Sequence, residues 1–241
     1  MTTILHLSDL HIGADSNARN LGLIINHINA NYGEDVPIAI TGDLVETTSH
    51  RMYKTCASLL KRLLPRPLWI VPGNHDLCAK GVDIGLGLDA DYDLWEKYIR
   101  PLMAPTKRHL PYIWHHGGLQ IVGLDTMAGT MGDWIADTAR GAVGKRQLYA
   151  LTQLLQHTPT IVIGHHRVHW DDTWHRLRDA EAMAHIMEPR AVAYLCGHQH
   201  KEERVEGNGT VYLASHQTTY PALRYAEVTI GEAIERRWVW L

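Results

Sequence analysis

The sequence predicts an α/β fold, two mixed sheets packed face to face with helices outside, in a four-layer α/β/β/α sandwich. Three observations carry this. Over residues 2–71, short apolar runs alternate with segments of helical periodicity. Further along, glycine turns between apolar runs add hairpin signals. Finally, 45% of the chain is hydrophobic and 20% charged, the balance of a globular protein.

The elements follow in order. "TTILHLSDL" (2–10) is a short alternating run and reads as a strand. In "NARNLGLIINHINANYG" (17–33), Leu21, Ile24, Ile25 and Ile28 recur at helical spacing, and Gly33 is a stop signal. "VPIAITGDL" (36–44) is a second apolar run. Thr47 or Thr48 is placed to cap the next helix, "SHRMYKTCASLLKRLLP", which stops before Pro65. "PLWIVPGNHD" supplies a third strand. Strands and helices alternating at these lengths predict parallel pairing with crossover helices. In such sheets functional groups gather at the carboxyl ends of strands. Asp9, Asp43 and Asn74 all fall just past such ends, so the three are predicted to be neighbours.

Residues 77–110 begin glycine-rich and then offer a short helix around "YDLWEKYIRPLM". Because this insertion follows the GNHD turn, it is predicted to be a lid or wall of a site. "YIWHHGGLQIVGLDT" (112–126) reads as a hairpin turning at Gly117-Gly118. A helix (144–157), a strand (158–166), a helix (180–189) and a strand (190–200) follow. The tail adds a hairpin through "EGNGT" and strands at "VYLAS", "RYAEVTI" and "RRWVWL", so antiparallel signals are richer in the second half. With no repeat and no linker, residues 1–241 read as one domain.

Composition narrows the function. No segment approaches the ~18 consecutive apolar residues of a membrane span. The N-terminus has no basic leader and reads as the first strand, so a cytoplasmic protein is expected. Cys56, Cys78 and Cys196 form no CxxC pair, which fits neither a disulfide framework nor a thiolate zinc site. A net charge of −3 does not favour a nucleic-acid partner. Phe is absent, for which we have no physical account, and there are 17 His. Histidine is the commonest metal ligand and a general acid or base, so position decides which of them matter.

Five motifs each follow an apolar run: Asp9-x-His11, Gly42-Asp43, Gly73-Asn74-His75-Asp76, Gly164-His165-His166 and Gly197-His198-x-His200. Singly they are weak. Asp9-x-His11 suits a solvated turn, and Gly42-Asp43 is a common turn dipeptide. The GHxH motif is stronger, because alternate residues on a strand point to one side. Five in order, all at strand ends, are not expected from packing alone. Together they form a ligand set for two metal ions, in which hard oxygens and imidazoles suit Mn, Fe or Zn. A carboxylate can bridge two cations ~3.5–4 Å apart, the separation used in two-metal hydrolysis of phosphate esters. A set without Cys is not the usual structural zinc site.

These motifs resemble the calcineurin-like metallophosphoesterase superfamily, whose pattern is DxH, GD, GNH(D/E), GH and GHxH. The match runs from residue 9 to residue 200. "HLSDLHIG", "TGDLVE" and "VPGNHD" are most similar to class III cyclic-nucleotide phosphodiesterases and their glycerophosphodiesterase relatives. The resemblance implies that Asp9, His11 and His200 hold one metal, that Asn74, His165 and His198 hold a second, and that Asp43 bridges them. It implies a metal-bridging hydroxide attacking phosphorus, His75 facing the phosphate without binding metal, and Asp76 orienting His75. The substrate implied is a small phosphodiester, nucleotide-like or a cyclic nucleotide. Alternatives with the same metal core are a DNA or RNA nuclease and a phosphomonoesterase. The pattern GDxxDRG with GNHE, which marks protein phosphatases, is replaced here by "GDLVETT" and "GNHD". A non-enzymatic scaffold would lack ligands, and none is missing.

Two further histidines, His166 and His216, are candidate substrate contacts, and the loops at 167–180 and 215–220 are candidate rims. Glu46 stands where several similar proteins carry Asp; a role behind the ligands and a solvated helix start are both open. His27, His157 and His185 sit on predicted helices as surface or boundary residues.

Overall fold

A computed structural model describes residues 1–13, 15–77, 92–106, 109–130, 140–156, 158–169 and 175–241. The first sheet has the order β11-β10-β1-β2-β3. Its strands are β1 (Thr2–Leu7), β2 (Ile38–Thr41), β3 (Leu68–Val71), β10 (Arg224–Ile230) and β11 (Ile234–Trp240). β1, β2 and β3 run parallel, and β10 and β11 extend the sheet antiparallel beyond β1. The crossovers are helices α1 (Asp15–Asn31) and α2 (His50–Leu60). The α2 cap is Ser49 rather than Thr47 or Thr48: its Oγ accepts the Met52 N–H at 3.2 Å, a bond whose loss typically costs ~1 kcal/mol.

The second sheet has the order β4-β5-β6-β7-β9-β8. It comprises β4 (Tyr112–His116), β5 (Leu119–Gly123), β6 (Thr160–Ile163), β7 (Ala191–Cys196), β8 (Glu203–Glu206) and β9 (Val211–Ala214). Here the antiparallel expectation holds only at the edges. β5, β6, β7 and β9 are parallel, and β4 and β8 are the antiparallel flanks. The β8–β9 hairpin folds outward, so β9 and not β8 pairs with β7. Helices α5 (Lys145–Leu154) and α6 (Ala180–Met187) cover this sheet.

Strand alternation separates the layers. Ile121, Ile161 and Leu195 belong to the core shared with the first sheet. Val122, Val162 and Tyr194 pack with Leu151 of α5 and Met183 of α6. The result is the four-layer α/β/β/α order. From the 77–110 insertion, residues 78–91 lie outside the described residues. The rest contains a helical turn, α4 (Tyr92–Leu94), continued by wider and tighter turns to Leu102. Leu94, Trp95, Ile99 and Leu102 are buried in the larger hydrophobic core. Trp95 Nε1 donates to the Tyr112 hydroxyl at 3.1 Å. Among the described residues, no helix is long and apolar enough to cross a membrane.

Candidate metal centre

Parallel pairing brings the carboxyl ends of β1, β2, β3, β6 and β7 to one edge of the sandwich. Backbone bonds continue past the strands. Asp9 N–H donates to Gly42 O at 3.1 Å, His11 N–H to Asp43 O at 2.9 Å, and Gly197 N–H to His165 O at 3.0 Å. Gly42, at φ 89°, permits a close approach: a Cβ there would stand 2.6 Å from His165 Nδ1 and 2.8 Å from the Gly73 nitrogen. A Cβ at Gly197 would collide with Ser8 and the Asp9 carboxylate.

Among the described residues, five that are not glycine have left-handed backbone, and every one belongs to this edge: Asp9 (φ 54°), His11 (43°), Asp43 (51°), His198 (75°) and His200 (52°). Such a conformation costs ~1–2 kcal/mol per L-residue. It persists where surrounding structure forces it, typically at functional sites.

The side chains converge in two groups. In one, His11 Nε2 lies 3.1 Å from His200 Nε2, and His200 Nε2 lies 3.3 Å from Asp9 Oδ1. In the other, His165 Nε2 stands 3.0 Å from Asn74 Oδ1, 3.2 Å from His198 Nδ1 and 3.3 Å from Asp43 Oδ2. Asp43 Oδ2 is also 3.7 Å from His11 Nε2, so it lies between the groups. One imidazole N–H cannot serve three acceptors at once. Donor atoms crowded in this way fit a cation, and oxygen with imidazole suits a first-row metal. The Asp9–His11–His200 and Asp9–Asp43–His165 sets each lie within 4.8 Å of one another, as metal ligands must.

Charge follows the same geometry. Burial works against ionising Asp9, yet His200 and His165 outweigh it and hold its pKa at about 2. Asp43 is likewise held well below the carboxylate range by His165 and His11, against its burial. Burial opposes a proton on His165, but Asp43 and Asp9 win and raise it to about 9. His198, desolvated and beside His166 and His165, is pushed well below its ordinary value and stays neutral.

His75 stands at the rim, on the short helix α3 (Asn74–Leu77). Its N–H donates to Asp43 Oδ1 at 2.9 Å, and its ring lies edge-on 4.8 Å from that of His11. Nδ1 donates to the Glu46 carbonyl at 2.8 Å, which leaves Nε2 as the other proton site. Asp76 does not reach this ring. Its Oδ1 accepts the amides of Leu44 (2.8 Å) and Val45 (3.1 Å), and its Oδ2 accepts that of Gly73 (2.9 Å). Its carboxylate therefore clamps the β2 and β3 turns together, and the Glu46 carbonyl orients His75. Burial and the Asp43 charge push Asp76 up to about 7, against the Gly73 and Val45 amides and the His165 charge.

Glu46 lies behind the ligands and not at a helix start: its Oε2 is 3.0 Å from His11 Nδ1. His166 is fully buried, with Nδ1 2.7 Å from Thr126 Oγ1 and its ring 4.3 Å from that of His198. It lies within reach of the His165–His198 group. His216 donates from Nδ1 to the His200 carbonyl at 3.0 Å. In the 167–180 rim, residues 170–174 lie outside the described residues. His175 sits 6.2 Å from the His198 ring, and His169 turns to Glu188. His27 bonds Tyr225 away from the site, His185 is exposed, and His157 lies outside the described residues.

Sequence reading missed a buried hydrogen-bond chain behind Asp9. His6 Nε2 lies 2.9 Å from Thr41 Oγ1, Thr41 donates to Ser8 Oγ at 2.8 Å, and Ser8 donates to Asp9 Oδ2 at 2.6 Å. Burial, with Arg236 nearby, lowers His6 to about 3, so it is neutral. Its only sequence signal was a histidine inside an apolar strand.

Fold and donor set together define a two-sheet hydrolase scaffold with a metal-binding edge. A family model for calcineurin-like phosphoesterases matches residues 2–202. The chain belongs to that family, a phosphoester hydrolase fold that implies divalent metal ions. No curated protein matches by sequence. Among solved structures, a dimetal phosphatase from Danio rerio is similar over 98% of this chain and 95% of its own, with a TM-score of 0.75 at 12% identity. The phosphopantetheinyl hydrolase of Mycobacterium tuberculosis is similar over 90% of both chains, with a TM-score of 0.54 at 15% identity. A 5′-nucleotidase from Candida albicans is similar over 99% of this chain and 51% of its own, with a TM-score of 0.57 at 11% identity. At these identities the likeness is one of fold.

Proposed function

We propose that the chain is a metal-dependent phosphodiesterase acting on a small nucleotide-like diester. One observation carries this reading: among the described residues, all five left-handed residues other than glycine hold side chains in the two converging donor groups. In this reading Asp9, His11 and His200 hold one cation, Asn74, His165 and His198 a second, and Asp43 bridges. When bound, a metal pair of this kind activates water and neutralises phosphate oxygens. His75 Nε2 faces the ester from outside the ligand set, with Nδ1 fixed by Glu46. It stabilises charge on the phosphoryl oxygens and gives its proton to the leaving oxygen. Glu46 orients His11, and Asp76 holds the turns that place Asp43 and Asn74.

A Mn²⁺ assay panel tests it, comparing bis-p-nitrophenyl phosphate, p-nitrophenyl phosphate, 2′,3′- and 3′,5′-cyclic nucleotides and single-stranded DNA. Diesters are expected to exceed the monoester in kcat/KM by at least ~10-fold, a 1.4 kcal/mol preference. A monoester preference overturns the reading. His75→Ala is expected to keep its metals and lose ~10²–10⁴ in rate on poor leaving groups.

A further inference from the structure

A strip of aromatic and cationic side chains runs from the metal edge along β11. His216, bonded to the His200 carbonyl, sets its ring 5.3 Å from that of Trp238. The Arg236 guanidinium lies over Trp238 at 5.2 Å, and that of Arg224 lies 6.0 Å from Trp238 and 4.8 Å from Trp240. Arg236, Trp238 and Trp240 alternate on β11 and share a face, and Arg224 is the cross-strand partner of Trp240. β10 starts at Arg224, beside the carboxyl end of β1, so the strip opens where the metal donors stand. The adjoining loop is tied to the Asp9 turn by Thr218 N–H to Ser8 O at 3.0 Å.

The two arginines are not equivalent. Arg236 is spent on structure, donating to the Glu203 and Ala214 carbonyls, with Glu202 at 3.9 Å. Among the described residues, the Arg224 side chain makes no hydrogen bond or ion pair, while its backbone N–H donates to Thr218 O at 3.2 Å, and its Nε is buried without a partner. Its guanidinium lies over the ring of Trp240, a residue 58% exposed. Shielding a strand edge would explain the stacking, but not a guanidinium that Glu202 stabilises only from a distance, without an ion pair. An unpaired guanidinium beside an exposed indole matches a phosphate and a base.

Resting on the reading of the site as a phosphodiesterase, the geometry points to a subsite on Arg224 and Trp240 for a further nucleotide of the substrate, beyond the one esterified at the metal edge. β11 stands two strands, ~10 Å, to the side of β1, so a base stacked on Trp240 belongs to a nucleotide beyond the one at the metal edge. The substrate class is then a short single-stranded oligonucleotide or a linear dinucleotide.

The test uses the full chain with Mn²⁺, comparing wild type, Arg224→Ala and Trp240→Ala on bis-p-nitrophenyl phosphate and trithymidylate. KM for trithymidylate is expected to rise ~10-fold in each variant, a loss within the range for one stacked base. Both variants should retain bis-p-nitrophenyl phosphate kinetics within about twofold. Binding of fluorescein-labelled trithymidylate to EDTA-treated protein, followed by anisotropy, gives a readout independent of hydrolysis. Arg224→Ala should weaken that binding and flatten its log–log salt slope by ~0.7. If wild type binds trithymidylate no better than thymidine monophosphate, or neither variant weakens binding, the subsite is refuted. Binding that behaves as expected without any diester hydrolysis refutes the phosphodiesterase reading and leaves the subsite standing.

Discussion

His11 and His165 face each other across Asp43, but their outer nitrogens meet different partners. His11 Nδ1 meets Glu46, a carboxylate whose side chain is 50% exposed. His165 Nδ1 donates to the Thr41 carbonyl at 2.8 Å, inside β2. His200 extends the contrast: its side chain is 42% exposed, whereas that of His165 is fully buried. The first donor group is thus held by side chains, namely Glu46, His216 and the Ser8–Thr41–His6 chain. The second is held mainly by backbone. Side-chain support can be tuned or lost residue by residue, while backbone support fails only with the fold.

The largest effect should come where the groups meet. Asp43→Ala removes the shared oxygen and leaves His165 and His11 facing each other. Metal analysis is expected to show both ions lost, and diesterase activity should fall to the assay blank. Retention of one ion at full occupancy would show that Asp43 serves a single group.

Next comes the support behind His11 and Asp9. Glu46→Ala and Thr41→Val each remove a side-chain partner from the support of the first group only. One ion per chain should then bind ~10–100-fold more weakly, the usual cost of losing such a partner. The second ion should be unchanged. Equal weakening of both ions in a titration would erase the contrast drawn above.

A pH effect separates the groups differently. In metal-free protein, Asp43 and Asp9 raise His165 to about 9 despite its burial. Its ion pairing therefore contributes stability fully below its unfolded pKa of ~6.5. That contribution is lost as pH rises through about 9. The Tm of EDTA-treated protein should fall across this window. Mn²⁺ must also displace that proton, so binding at pH 7.5 in weak buffer should release protons. A Tm flat from pH 6.5 to 9.5 would show that His165 is neutral without metal.

How much of this was legible depended on which contacts are local. All five motifs, and the neighbourhood of Asp9, Asp43 and Asn74, followed from strand-end position and parallel topology. The pairing of β7 with β9 did not, because the β8–β9 hairpin reads the same whichever strand faces inward. Asp76 was misassigned because spacing placed it beside His75, while its three amide partners come from two different turns. His6, Thr41 and Ser8 meet only after β1 and β2 pair. The strip at Trp238 and Trp240 was invisible for the same reason, since Arg224 joins it across a strand pair.

The smallest effect probes backbone strain alone. His200 is left-handed at φ 52°, and His165 is not among the left-handed residues. Ala or Gly at residue 200 would lose the same contact with Asp9, but only Ala keeps the Cβ that strains the turn. Glycine's entropy cost, ~0.5–1 kcal/mol, offsets part of the relief. His200→Gly should still exceed His200→Ala in the Tm of EDTA-treated protein, by ~2–4 °C if the net gain approaches ~1 kcal/mol. At His165 the order should reverse, because glycine there relieves nothing and adds chain entropy. The same order at both positions would mean that the left-handed turn is not what holds His200 in the donor group.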